Sequence, residues 1–516
     1  MARSNVKLPL LMWRDTFVRY ASQGQNLQNQ IRTMIVDAIL EGRLPAGSEV
    51  PSSREMSEAL GVARNTVVLA YQQLVSKGYL LTRDRSGHLV NPEMANPQLR
   101  AKSRDKASEG SSGLPALTSL TGSPNWSERI RSPLGAQRNI VKRSDWQKVP
   151  YPFLYGQFDS SLFPTAEWRE CCMKALSVAD IREWAQDLIF QDDEKLVQEI
   201  CTKVLPRRGV WATPNEVVVT VGAQHALFMI ADLLVSPTSC IALEDPCYPD
   251  ARNIFSLRAG RTISVPVDSH GLVLSDELRA AEMVTVTPSH QCPTTVKMSM
   301  SRRQELLKFA EEHDLVVVED DYEAESSFSE DPSPALKSID RSGRVLYVGS
   351  LSKTFAPGLR LGYIVGPSEL IHELRGLRRL MVRHPSAFIQ RAFALFISLG
   401  HLDSMIKRQT HIFRQRSAAL QESLKQLIPE LLVTPSYGGS SIWVEGPSGF
   451  NSKDFARRLE REGVLIEPGD VFFQDANKVA FFRMGFSAIN SERIGYGVEA
   501  MARVFYSDFW KRATQP

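Results

Sequence analysis

The chain has 516 residues, of which 43% are hydrophobic and 23% charged, with a formal net charge of +3. That balance excludes a disordered or fibrous chain and leaves room for several globular domains. There is no apolar run of about 18 residues or more, so no transmembrane helix is expected. The apolar stretch before Arg14 and Asp15 is too short to read as a secretory signal, and the cytoplasm is the expected location. The six cysteines include one adjacent pair, Cys171 and Cys172, and no C-x-x-C spacing. Neither a disulfide framework nor a zinc site is expected from them.

The first periodic stretch holds Leu27, Ile31, Ile35, Ala38 and Ile39 at helical spacing and ends near Gly42. Ser52 and Glu55 form a capping box that opens a second helix, SREMSEAL, which stops at Gly61. A third helix is predicted from Ala63 to Lys77, before Gly78, with Val67, Ala70, Tyr71 and Leu74 on one face. Two short helices around a tight glycine turn form the helix-turn-helix pattern. Arg64, Asn65 and Thr66 lie at the end that a recognition helix presents to base edges and phosphates. YLLTRDRSGHLVN then reads as strand, turn at Ser86 and Gly87, and strand: a wing carrying Arg83, Arg85 and His88. Residues 1–95 are only slightly basic, so charge alone also admits a module for protein contact.

From about Asn91 to Lys148 serine, glycine, proline and charge dominate, which is linker composition. The predicted domains are therefore a head over 1–92, a linker over 93–148 and a body over 149–516. In the body, Glu216–Thr220 followed by GAQHALFMIADLL predicts strand, glycine turn and helix. The amides of Gly222, Ala223 and Gln224 there either face an anion or make a structural turn. Tyr248, in EDPCYP, is a ring-stacking residue or a half-buried loop aromatic. Met283–Thr295 supplies another strand ending in a polar loop. DLVVVEDDY ends in a carboxylate pair and a phenol, at the strand end where open α/β sheets place their chemistry. Either the run is simply a charged strand end, or Asp320 there can pair with a protonated pyridine nitrogen and Tyr322 can bond a phenolate oxygen on the same ring. RVLYVGSLSKTFAPGLRLGYIV delivers Ser350, Ser352 and Lys353 into a loop before Arg360. Lys353 is either an ordinary loop lysine or one whose pKa partial burial and the cationic Arg360 lower to make a nucleophile, while the serines and the guanidinium suit a phosphate monoester. Near the C-terminus, VAFFRMGFS carries Arg483, either a fork for a carboxylate or a strand-edge arginine.

LPAGSEVPSSREMSEALGVARNTVVLAYQQLVSKGYL resembles the winged helix-turn-helix of the GntR regulators. From Tyr155 onward the ordered strand-end loops resemble the fold type I aminotransferases, which use pyridoxal phosphate. A GntR head on an aminotransferase-like body resembles the MocR subfamily, whose members include regulators of vitamin B6 synthesis and of γ-aminobutyrate or taurine use. The implied fold class is α/β: a winged helix-turn-helix linked to a fold type I transferase domain with a mainly parallel sheet.

By that resemblance Lys353 would form the internal aldimine, Asp320 would pair with the pyridine nitrogen, Tyr322 would bond the ring oxygen and Tyr248 would stack on the ring. Gly222, Ala223, Gln224, Ser350, Ser352 and Arg360 would hold the phosphate, and Arg483 an effector carboxylate. Arg54, Arg64, Asn65 and Thr66 would contact double-stranded DNA, with Gly87 and His88 at the wing tip entering or lining the minor groove. The implied function is a transcriptional regulator sensing a small amine, an amino acid or pyridoxal phosphate itself, assembled as a head-to-tail homodimer. The alternative is an active aminotransferase with an accessory head. Departures from the aminotransferase pattern are Cys292 in place of asparagine, Cys247 before the stacking tyrosine, Asp250 two positions after it, and Ser326 and Ser327 after the acidic strand end.

Overall fold

The computed structural model describes residues 13–14, 16–17, 26–83, 87–92, 124–187, 189–323, 325, 327–328 and 333–507. Arg85, Ser86, Ser326 and linker positions 93–123 lie outside them. The chain divides into two compact units, 1–130 and 131–516.

In the head, α1 (Leu27–Leu40), β1 (Glu49–Val50), α2 (Ser53–Leu60), α3 (Arg64–Ser76), β2 (Leu80–Arg83) and β3 (Gly87–Val90) follow in order. The strands form an antiparallel sheet in the order β1-β3-β2. The reciprocal Ser52–Glu55 box closes the start of α2. Gly61 then adopts φ +67°, the left-handed turn that lets α3 leave at an angle and that a side chain would disfavour. Val67, Ala70, Tyr71 and Leu74 pack into the core with Ile31, Met34, Ile35, Ala38 and Ile39 of α1. Leu27, assigned by spacing to that apolar face, is instead 48% exposed, because it sits in the first turn, outside the stripe begun by Ile31.

The body is built on an eight-stranded sheet among the described residues. Its strands are β4 (Val217–Thr220), β5 (Cys240–Asp245), β6 (Arg261–Asp268), β7 (Gly271–Leu272), β8 (Met283–Val286), β9 (Val316–Asp321), β10 (Val345–Ser350) and β11 (Gly362–Val365). The order is β4-β11-β10-β9-β8-β5-β6-β7. The central strands are parallel, and β11 runs antiparallel to both of its neighbours. Helices cover both faces, which is why the strands are near-continuous β-branched runs rather than alternating ones. Val218, Val318 and Val348 meet one face's helix, Gly222–Leu234, through Leu227 and Ile230. Val217, Val219 and Tyr347 meet Phe393 and Phe396 on the other. A smaller antiparallel sheet follows, made of Leu432–Val433, Ser441–Glu445, Phe481–Gly485 and Glu467–Pro468.

The body begins at Arg131, upstream of the boundary expected at residue 149. Polar composition reads as linker, yet here the polar groups are anchors. The Arg138 guanidinium donates to the carbonyls of Phe473 and Gln474 at 3.2 and 3.1 Å, and Arg143 pairs with Glu460 at 2.5 Å.

Candidate functional site

At the edge of the parallel sheet, the carboxyl ends of β9 and β10, the start of the helix Gly222–Leu234 and the loop after Asp245 surround a cavity of about 320 Å³. Its lining includes Gly222, Ala223, Gln224, Tyr248, Asp320, Tyr322, Ser350, Ser352, Lys353, Arg360 and Arg483. All the body residues expected at a cofactor or effector site are thus brought together, from positions up to 261 apart. Strands deliver their last residues to the same edge when they run parallel, and that is the reason for the convergence.

Strand alternation divides the acidic end of β9. Glu319 and Asp321 point away from the cavity. The Glu319 oxygens accept from the Leu336 and Lys337 amides at 2.8 Å each. Asp321 accepts from Arg208 at 2.9 Å and from the Tyr347 hydroxyl at 2.8 Å; burial opposes its charge, but Arg208 and Tyr347 hold its pKa below the usual range. Asp320 points into the cavity, 8% exposed, and its Oδ1 has no hydrogen-bond partner among the described residues. Burial, and secondarily the Asp321 charge, push it up to about 7. A buried carboxylate without a partner is costly, and a cationic ring nitrogen is the partner its position calls for. The Tyr322 phenol lies on the same side, two residues on, and Tyr155 meets its ring edge-on at 6.4 Å.

Lys353 lies in the short helix Ser352–Phe355 directly after β10. Burial brings its pKa down to about 8; Arg483 and Lys142 are the cations that add to this. Arg360, expected in that role, is directed elsewhere. Its backbone is left-handed at φ +54°, rare for a side-chain-bearing residue, and its Nη2 donates to the Val221 carbonyl at 3.3 Å. The guanidinium therefore lies over the helix start: a Cβ at Gly222 would stand 3.2 Å from Arg360 Cζ. Gly222 (φ +77°) opens the helix, whose first amides have no intrahelical acceptor. Together these make an anion cradle of amides and guanidinium. Ser350 Oγ accepts from the Lys353 amide at 3.3 Å, leaving its own proton to give. The Ser352 hydroxyl, which also lines the cavity, bonds Leu361, donating to its carbonyl at 2.9 Å and accepting from its amide, and so holds the loop.

The Tyr248 hydroxyl and the Gln224 amide both donate to Asp250, at 3.2 and 3.1 Å. Cys292 also lines the cavity, its thiol pushed up to about 12 by burial; Arg483 Nη1 is 4.0 Å from its sulfur. Arg483 is 1% exposed. Its Nε donates to Glu467 at 2.8 Å, while Nη2 has no hydrogen-bond partner among the described residues. Its Cζ and Lys353 Nζ each lie 3.9 Å from the ring centre of Tyr155, a cation–π arrangement around one aromatic. Tyr155, Glu467 and Lys142 were not singled out by sequence reasoning. Tyr155 sits beside a glycine in an apolar run, and Lys142 in a polar stretch that reads as linker.

The residues present fit pyridoxal phosphate: an unpartnered buried carboxylate, a lysine with a depressed pKa and an anion cradle share one cavity.

In the head, Arg64, Asn65 and Thr66 are the first three residues of α3, with Arg64 and Asn65 exposed and Thr66 half-buried. Arg64 Nε donates to Ser53 Oγ at 3.3 Å, and Arg54 makes an exposed pair with Glu58 at 3.2 Å. His88, expected at the wing tip, lies within β3 opposite Thr82. Its ring is 5.1 Å from that of Tyr71, and burial lowers its pKa. The hydrophobic gain of packing on α3 turns the imidazole inward. Gly87 pairs with Arg83 at the end of the hairpin.

A helix-turn-helix head and a body that binds pyridoxal phosphate define a cofactor-dependent, DNA-binding transcriptional regulator. Residues 27–90 match bacterial regulatory proteins of the gntR family, and residues 158–501 match aminotransferase class I and II. The HTH-type transcriptional regulator TauR of Rhodobacter capsulatus is 38% identical over 94% of this chain and 98% of its own length. The HTH-type pyridoxine biosynthesis transcriptional regulator PdxR of Corynebacterium glutamicum is 29% identical over 80% of this chain and 82% of its own. Among solved structures, kynurenine aminotransferase of Pyrococcus horikoshii superposes with a TM-score of 0.68 at 25% identity, covering 76% of this chain and 99% of that one. The chain belongs to the MocR subfamily of GntR transcriptional regulators. No helix among the described residues is long and apolar enough to cross a membrane.

Proposed function

We propose that the body senses a small amine that also carries an acidic group. The observation that supports this is the Arg483 guanidinium, buried in the same cavity as Lys353 with Nη2 unpartnered among the described residues. A desolvated donor of that kind gains most from an anionic acceptor. Pyridoxal phosphate supplies, when bound, an aldehyde carbon open to amines and a phosphate monoester. Lys353 is its attachment point, Asp320 the partner of its ring nitrogen and Tyr322 that of its ring oxygen, with Tyr248 on the ring face. The amides of Gly222, Ala223 and Gln224, with Ser350 and Arg360, hold the phosphate. A Lys353 pKa of about 8 leaves a usable neutral fraction for attack at neutral pH. The Tyr155 ring, 3.9 Å from Lys353 Nζ, would hold the lysine as an ammonium whenever it is free and protonated.

Arg54, Arg64, Asn65 and Thr66 contact DNA, with the wing strand at Gly87 and His88 beside them. Base contacts specify and phosphate contacts position. The active form is a head-to-tail homodimer in the cytoplasm, and the effector acts by binding one arrangement of the heads better than the other, since equal affinity shifts nothing.

The test is a mobility-shift titration on DNA flanking the protein's own gene, at stated salt because phosphate contacts dominate affinity. It is run with and without pyridoxal phosphate and a panel of amines with and without acidic groups. Specific binding altered only by acid-bearing amines supports the reading. A response to pyridoxal phosphate alone, unchanged in Arg483→Ala, refutes it in favour of a cofactor sensor.

A further inference from the structure

The segment 138–143, just upstream of the two-residue strand Tyr151–Pro152, forms part of the cavity wall. Asn139, Ile140 and Lys142 line it, although their composition is that of a linker. The segment is pinned by Arg138, as described above, and by the Asn253 side chain, which donates to the Arg138 carbonyl at 3.1 Å. Lys142 Nζ donates to the Tyr155 carbonyl and faces Glu467 Oε1 at 3.3 Å. The other oxygen of Glu467 accepts from Arg483 Nε at 2.8 Å. One carboxylate is thus shared between two cations, and the cluster carries one positive charge in excess. Removed from water, such a charge is destabilising until an anion joins it. The place for that anion is the cavity that Lys142 and Arg483 both line.

The geometry points to Lys142 as a second anchoring residue for the acidic group of the effector, beside Arg483, so that a seated effector also grips the chain that descends from the DNA-binding head. This rests on the reading of the effector as an acid-bearing amine. Because Lys353 Nζ and Arg483 Cζ each lie 3.9 Å from one ring centre, they stand no more than twice that distance apart. A guanidinium–carboxylate pair occupies roughly 4 Å of it between carbon centres, so the amine and the acid of the effector are separated by only a few bonds. Glycine, β-alanine and γ-aminobutyrate span that range, and propylamine supplies the amine without the acid.

The experiment titrates each into the full-length, cofactor-loaded protein, following the visible absorbance of the bound cofactor. In the wild type the best of the three amino acids is expected to bind at least tenfold more tightly than propylamine. Arg483→Ala removes the preference. Lys142→Ala cuts the preference over propylamine at least fivefold, whatever it does to the two affinities in common, and Lys142→Arg restores most of it. Amide hydrogen exchange over residues 138–143 is expected to slow on amino-acid binding in the wild type and not in Lys142→Ala. If Lys142→Ala keeps the wild-type preference while Arg483→Ala loses it, the role of Lys142 is overturned and the effector class stands. Equal weakening of amino acid and propylamine in Lys142→Ala makes the residue merely structural and overturns it too. No preference in the wild type overturns the effector reading and this inference together.

Discussion

The head and the body solve the same problem, placing a few polar groups against a ligand, with contacts of different range. In the head, Arg64, Asn65 and Thr66 are consecutive, and the face that holds them in place is the repeat Val67, Ala70, Tyr71 and Leu74 of the same helix. In the body, a single cavity draws on residues 139 to 483, and its charged members are neutralised by partners far off in the chain, as Lys142 is by Glu467, or left without one among the described residues, as Asp320 Oδ1 is. A site of the first kind depends on one helix being folded. A site of the second kind depends on every strand end arriving at one edge, and its chemistry lies in which charges remain unpaired.

That contrast breaks most sharply at Asp320. Asp320→Asn removes the anion that a cationic ring nitrogen would meet, so affinity for pyridoxal phosphate, read by equilibrium dialysis, is expected to fall on the order of 10²–10³-fold, the scale of breaking a buried charge pair. The cofactor-free protein carries the opposite sign. Its Asp320 has a folded pKa raised to about 7 from 3.8, so the stability associated with that group is present at acid pH and is lost as pH rises through about 7. Asp320→Asn should flatten this decline in urea midpoints measured between pH 4 and 8, with no change in the melting of the head.

Leu74→Ala tests the other side. It opens a cavity in the head core and is expected to destabilise that unit by about 2–5 kcal/mol, abolishing DNA binding while cofactor absorbance and body melting stay unchanged. Simultaneous loss of both would show that the two units do not fold independently. Arg64→Ala should cost about 1–3 kcal/mol of specific binding and lower the salt slope if its partner is a phosphate, or relax one base position if it is a base. Ser52→Ala is expected to be the mildest, about 1 kcal/mol of head stability from the lost cap, visible as a small shift in the head's thermal transition.

The amino-acid sequence by itself determined the helices of the head, the capping box at Ser52 and Glu55, and the strand-end positions of Asp320, Tyr322 and Lys353, because each is written in residues within a turn or a strand of one another. The inward face of α3 and the inward turn of Asp320 follow from periods of 3.6 and 2. Only the tertiary structure decided that Arg483 and Lys142, rather than Arg360, bear on Lys353, that the Ser352 hydroxyl bonds Leu361, and that His88 packs on Tyr71. It also decided that a polar stretch reading as linker becomes cavity wall. The physical reason is range: the effect of a buried charge depends on which partners and how little water surround it, and those partners lie up to 341 positions apart, where no local pattern records them.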